Sequence, residues 1–176
     1  MTAYETLMSD VRTTTALSGI AGRLGWDQET VMPAGSAPQR AEEMAAMEAI
    51  LHSRRTDPKI ADLLATAKSQ ETGEVEKAQL HHIQFAYDRA VKVPADLATE
   101  LAHLRSTSQR IWADARAKND FRAFAPTLKE VIKLSRVLAD ALDDGNGRYE
   151  ALLAEYEPGT TAAQIGSIFD LPLPNS

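Results

Sequence analysis

Cysteine is absent from the 176 residues. That removes disulfide staples, thiolate catalysis and cysteine-ligated zinc together, and it fits a reducing cytoplasm. Clustered cations are also missing. Lys and Arg number 19 against 25 Asp and Glu, for a formal charge of −6, and Arg54-Arg55 is the densest basic stretch. Phosphate backbones and acidic membrane surfaces need basic patches, so neither nucleic acid nor membrane is an expected partner. No apolar run approaches the roughly 20 residues that span a bilayer. The opening residues lack the charged start, apolar run and small-residue cleavage site of a signal peptide. The expected address is the cytoplasm.

Two further absences bear on fold and chemistry. Nowhere do Val, Ile and Thr alternate with period two, as a half-buried strand requires. No Gly-rich phosphate loop or Ser nucleophile elbow occurs; Gly145-Asn146-Gly147 reads as a turn.

What is present reads as helix throughout: Ala, Leu, Glu, Lys, Arg and Gln dominate. A first helix is expected over about 4–24, weakened at Thr13-Thr14-Thr15 by β-branching, with a loop from Trp26 to Gly35 broken by Met32-Pro33. Ser36 and Gln39 have capping-box spacing for a second helix. Asp57-Pro58 opens a third, and a fourth covers about 74–91. Pro94 opens a fifth, with Leu97, Leu101, Leu104, Ser108, Ile111 and Ala115 as its apolar seam. Asn119-Asp120 breaks it. The sixth carries Leu128, Val131, Ile132, Ser135, Leu138 and Leu142, and a short seventh covers about 149–156. The expected fold is all-α, with seven to eight mostly antiparallel helices. Thr161 and Gln164 open an eighth, but Leu171-Pro172-Leu173-Pro174 cannot continue it. Residues 1–170 therefore read as one helical region, 171–176 as a Pro-rich tail, and the whole as an interrupted protein.

Zinc peptidases commonly place two histidines four apart on one helix with a Glu between them, so that both imidazoles meet one ion. His52, His81, His82 and His103 include no such pair. His81 and His82 are adjacent and diverge by about 100° on a helix. Ordinary boundary or surface roles are expected for all four. Glu42-Glu43 near a helix start and Asp143-Asp144 beside the glycine turn read as solvated acids. The densest unusual segment is 25–33, where Trp26 lies beside Asp27, Gln28, Glu29 and Thr30. It serves either function or packing, the latter with Trp26 anchored in the core and Asp27 or Thr30 capping a turn.

That segment, Leu24-Gly25-Trp26-Asp27-Gln28-Glu29-Thr30 with Met32-Pro33, Gly35, Arg40 and Ala41, resembles the opening of the carboxypeptidase Taq family of metallopeptidases. Tyr87-Asp88-Arg89-Ala90 with Val93-Pro94 extends the similarity. So do Gln109, Trp112, Ala113 and Ala115, then Asp120-Phe121, Phe124, Pro126 and Leu128. Tyr149-Glu150-Ala151-Leu152-Leu153 and Glu155-Tyr156-Glu157-Pro158-Gly159 carry it to about Phe169.

The resemblance implies the amino-terminal part of a larger, nearly all-helical fold with a long groove. The activity it implies is release of carboxyl-terminal amino acids from peptides by metal-activated water, in a cytoplasmic homodimer. It further implies a divalent metal, usually zinc, held by an HExxH helix and a downstream glutamate. None of that motif occurs in this sequence, so no residue is carried over as catalytic or metal-binding and no cofactor is expected on the chain alone. Trp26, Asp27, Gln28, Thr30, Met32 and Arg40 are the candidate residues of a groove wall or structural loop. The other expectation is a non-catalytic helical module that dimerises through apolar faces left uncovered.

Overall fold

Helix starts follow local side-chain chemistry. Thr2 and Glu5 form a capping box: the Glu5 N–H donates to Thr2 Oγ1 at 3.1 Å, and the Thr2 N–H donates to Glu5 Oε2 at 2.9 Å. Asp57 accepts from the Lys59 N–H at 2.9 Å, one residue past Pro58. Thr161 and Gln164 repeat the reciprocal box. In a computed structural model describing residues 1–70 and 73–170, the chain forms α1 (Ala3–Thr30), a 3₁₀ turn (Ala34–Ser36), α2 (Ala37–Arg55), α3 (Pro58–Lys68), α4 (Glu74–Lys92), α5 (Ala95–Ala117), α6 (Phe121–Leu142), α7 (Arg148–Leu153) and α8 (Ala162–Phe169). No strand occurs among the described residues, and the all-α expectation holds. The Pro-rich ending lies outside them.

Three local expectations are corrected. The first helix does not end near residue 24: α1 runs to Thr30 and takes in the first half of the expected loop. Proline's restrictions reach back only to the residue before it, so the break falls at 31–33. Thr13, Thr14 and Thr15 do not weaken the helix visibly. Each hydroxyl donates to the carbonyl four residues back, at 3.1, 3.0 and 2.9 Å. Ser36 stands at the N-cap position of α2, as expected, but the capping box is not formed. It belongs to the 3₁₀ turn with φ −85° and ψ −4°, a helical geometry from which its side chain makes no capping bond.

Two compact units divide the chain, Met1–Val131 and the part from Ile132 onward, with the boundary inside α6. In the first unit, α1, α3 and α4 share a core of Leu7, Leu64, Ala67 and Leu80, with Tyr4, Val11, Ile60, Ile83 and Tyr87 packed around it. Each buried leucine contributes about 1.5–3 kcal/mol over its exposed state. α2 lies along α5, burying Ala41, Leu51, Leu97, Ala98 and Leu101. The expected α5 seam shifts here: Ser106 is buried, while Ile111 is 39% exposed. On α6 the buried residues are Leu134, Ala139 and Leu142, and Ile132 faces out.

In the second unit, the Asp143 carboxylate accepts from the Gly145 and Gly147 N–H groups at 2.9 and 2.8 Å. Both glycines have φ near +95° (94° and 95°), where an L side chain is strained. Arg148 forks onto Asp140 at 2.5 and 2.8 Å. This bond holds the Asp140 carboxyl below its ordinary range. The Ala162 N–H donates to Glu150 Oε1 at 2.9 Å, tying α8 to α7.

Candidate functional site

The candidate residues gather where the end of α1 meets α2 and α5. Arg40 lies just inside the start of α2, 9% exposed. A guanidinium so far from water needs partners on each side. Nη2 donates to Asp27 Oδ2 at 2.6 Å and Nε donates to Glu43 Oε2 at 2.9 Å. Nη1 donates to the Leu24 carbonyl. The Asp27 bond is the largest of the effects that raise the affinity of Arg40 for its proton, and Glu43 adds to it against the cost of burial. One turn of α1 is thereby clamped to α2.

Gln28 reaches the other way. Its Nε2 donates to the Ser106 carbonyl at 2.9 Å, and the Ser106 hydroxyl donates to Gln28 Oε1 at 2.7 Å. Ser106 is 6% exposed, so this exchange is a buried tie between α1 and α5. Sequence reading missed Ser106 and favoured Ser108. The available signal was a small polar residue on the buried side of a helix, which demands a partner.

Trp26 does not anchor the segment in the core. It is 64% exposed, because its neighbours Asp27 and Gln28 take the inward directions and successive helical side chains diverge by about 100°. Thr30 Oγ1 donates to the Trp26 carbonyl at 2.7 Å. Met32 is half-buried, and its N–H donates to the Asp27 carbonyl at 2.9 Å. So Asp27, Gln28 and Arg40 are brought together as a brace, and Trp26 projects outward from it. Among the described residues, no buried side-chain nitrogen or oxygen lacks a partner. The junction holds the end of α1 in register with α2 and α5.

The divalent metal that the resemblance implies does not fit the residues present. The His52 Nε2–H donates to the Val93 carbonyl at 2.7 Å, a bond that ties α2 to the end of α4. His103 Nε2 lies 3.6 Å from Glu42 Oε1. The rings of His81 and His82 stand edge to face with centroids 5.7 Å apart on an exposed surface. No group of three His, Asp or Glu side chains converges among the described residues. No helix among them is long and apolar enough to cross a membrane.

Comparison with known proteins follows the same lines. Residues 6–171 match the model of the carboxypeptidase Taq (M32) metallopeptidase family. Thermostable carboxypeptidase 1 of Thermus thermophilus is 34% identical over 180 aligned positions, covering 95% of this chain and 35% of that protein. Among solved structures, metallocarboxypeptidase 1 of Trypanosoma cruzi superposes with a TM-score of 0.76 at 29% identity, over 95% of this chain and 34% of that one. BsuCP superposes at 0.89 with 21% identity and the same coverages, 95% and 34%, a likeness of fold. The chain spans about a third of the length of the relatives it matches. With the family match running over nearly every residue, the chain belongs to the carboxypeptidase Taq (M32) family of metallopeptidases.

Proposed function

We propose that this chain is the amino-terminal helical third of a metal-dependent carboxypeptidase fold and forms a wall or lid of its peptide groove. The observation that carries the reading is the match over residues 6–171 to a family of metallopeptidases, in a chain whose four histidines include no pair spaced to share an ion. Metal ligation and water activation then belong to the part of the fold this chain does not span. Peptide substrate, a divalent metal such as zinc, homodimeric assembly and a cytoplasmic address are proposed for the whole protein, with residues 1–170 as the family-derived region.

Within that reading the candidate residues divide by role. Arg40, Asp27 and Gln28, with Ser106, position the end of α1. Trp26, held on that braced turn, offers an aromatic face to a peptide, with Thr30 and Met32 beside it. A fixed aromatic contacts substrate at little entropic cost, which favours its use at recognition surfaces.

A chimera tests the proposal: this chain in place of the matching third of the Thermus thermophilus enzyme. Zinc-dependent release of carboxyl-terminal amino acids is expected from the chimera and none from the chain alone. A folded but inert chimera, or zinc-dependent hydrolysis by the chain alone, would refute it.

A further inference from the structure

The loop between α6 and α7 reads Asp143-Asp144-Gly145-Asn146-Gly147. Asparagine is among the chemically labile residues. The backbone nitrogen of the residue that follows it can attack the carboxamide carbon and close a five-membered imide. Asn146 is exposed, and both of its neighbours are glycines, with no side chain to shield that carbon. The Gly147 N–H, which belongs to the attacking nitrogen, donates to Asp143 Oδ1 at 2.8 Å. The same oxygen accepts from the Gly145 N–H at 2.9 Å, which holds the carboxylate over the loop. A general base must lie about 2.6–3.2 Å from the atom whose proton it takes, and Asp143 meets that condition.

Asn119, the other described asparagine, is built the opposite way. It closes the corner between α5 and α6 in a Schellman motif, in the left-handed conformation at φ 50°. The Asp120 N–H, whose nitrogen would be the nucleophile there, donates to the Ala115 carbonyl at 2.8 Å, and the Asn119 N–H donates to the Arg116 carbonyl at 3.1 Å. A peptide carbonyl accepts a hydrogen bond but does not take the proton at neutral pH. The Asp120 carboxylate is itself engaged, accepting from the Ala123 N–H at 3.1 Å.

We propose that Asn146 is a site of self-modification, losing its carboxamide through a cyclic imide formed with the Gly147 nitrogen while Asp143 receives the amide proton. The bond from the Gly147 nitrogen to Asn146 Cγ forms. The Asp143 carboxylate takes the N–H proton and returns it to the carboxamide NH₂, which departs as ammonia. One water then opens the imide at either carbonyl, leaving an aspartate or its isomer linked through the β-carbon. No oxidation or reduction is involved. Either product adds a negative charge to the loop. The isomer also lengthens the main chain by a methylene just before Gly147, which shifts that N–H from Asp143 and loosens the turn that delivers Arg148 to Asp140. The proposal stands apart from the carboxypeptidase reading.

The test incubates the purified chain in neutral buffer and follows the peptides holding Asn119 and Asn146 by mass spectrometry. Asn146 is expected to convert to both products while Asn119 stays intact. Asp143→Ser keeps a hydroxyl acceptor for the two glycine N–H groups but supplies no base. Its Asn146 conversion is expected to slow about tenfold, with circular dichroism verifying the fold. In guanidinium chloride the two chains should convert Asn146 at one rate, because Asp143 is no longer held against Gly147. The parent alone gives a second reading: its ratio of Asn146 to Asn119 conversion should fall on unfolding. An intact Asn146, a ratio that does not fall, a folded Asp143→Ser chain that converts as fast as the parent or faster, or a difference between the chains that persists when both are unfolded would each overturn the inference.

Discussion

Gln28 and Ser106 exchange two hydrogen bonds, at 2.9 and 2.7 Å, across 78 residues of chain. The pair fixes the rotation of α1 about its axis relative to α5, and with it the direction in which Trp26 points. Ser106→Ala leaves the Gln28 carbonyl oxygen short of its donor in a mostly buried place, and about 1–2 kcal/mol of stability is expected to be lost. Gln28→Ala in the Ser106→Ala background should add much less than in the parent chain. Urea unfolding of the four proteins gives the coupling; additive losses would show that the bonds contribute nothing jointly.

Arg40 and Asp27 make a sharper case, because the guanidinium side chain is only 10% exposed while the Asp27 side chain is 38% exposed. Asp27→Ala strips a charge-assisted bond from a cation largely removed from water, at an expected cost of about 1–3 kcal/mol. The same change in an Arg40→Met chain should cost under about 0.5 kcal/mol, since no buried charge remains to be stranded. Thermal melts at two salt concentrations would decide it. An equal loss in both backgrounds would mean the ion pair is immaterial.

Trp26 behaves differently. At 64% exposure, Trp26→Ala should change stability by no more than about 0.5 kcal/mol. In the active chimera the same change is expected to raise KM for peptides about tenfold with kcat little altered, the pattern of a lost contact that substrate and transition state share. Unchanged KM would remove Trp26 from the groove.

Asn119 sits at φ 50°. Asn119→Ala places a β-carbon in the left-handed region without the local polar contact that Asn provides, and a cost of about 1 kcal/mol is expected. Asn119→Gly should be neutral or slightly stabilising. The reverse order in denaturation midpoints would contradict the Schellman geometry of the corner.

The exposed Asp140–Arg148 fork sets a pH dependence. The Arg148 hydrogen bond lowers the Asp140 pKa in the folded chain. The bond's stabilising effect is therefore complete above the ordinary aspartate range, near 3.9, and is lost as pH falls through the lower folded value. Carboxyl NMR should place the Asp140 midpoint below that range and return it upward in Arg148→Ala. A midpoint that ignores the substitution would refute the pairing.

How legible was this molecule? Helices and caps that depend on near neighbours were read well: Asp57-Pro58, Pro94, Thr161 with Gln164, and the break at Asn119-Asp120 all stand where the sequence puts them. The misreadings concern competition between neighbours. Met32-Pro33 drew the expected end of α1 back to residue 24, although proline acts only on its own turn. Ser36 has the spacing of a capping box and the N-cap position, yet its place in the 3₁₀ turn leaves its side chain without the bond. Trp26 reads as a core anchor because large aromatics usually bury their area, yet Asp27 and Gln28 occupy the inward positions.

By itself the sequence determined that this protein is helical, cysteine-free and acidic, without histidines spaced to share a metal, and a member of a metallopeptidase family by the order of its motifs. These are local or compositional facts, settled within a helical turn or by a count. Only the tertiary structure decided that Arg40 is buried against Asp27 and Glu43, and that Ser106 rather than Ser108 is the buried partner of Gln28. Helical periodicity leaves open which of several neighbouring rotations faces the core. That choice is made by the burial of groups far apart in the chain, where each polar atom removed from water must meet a partner.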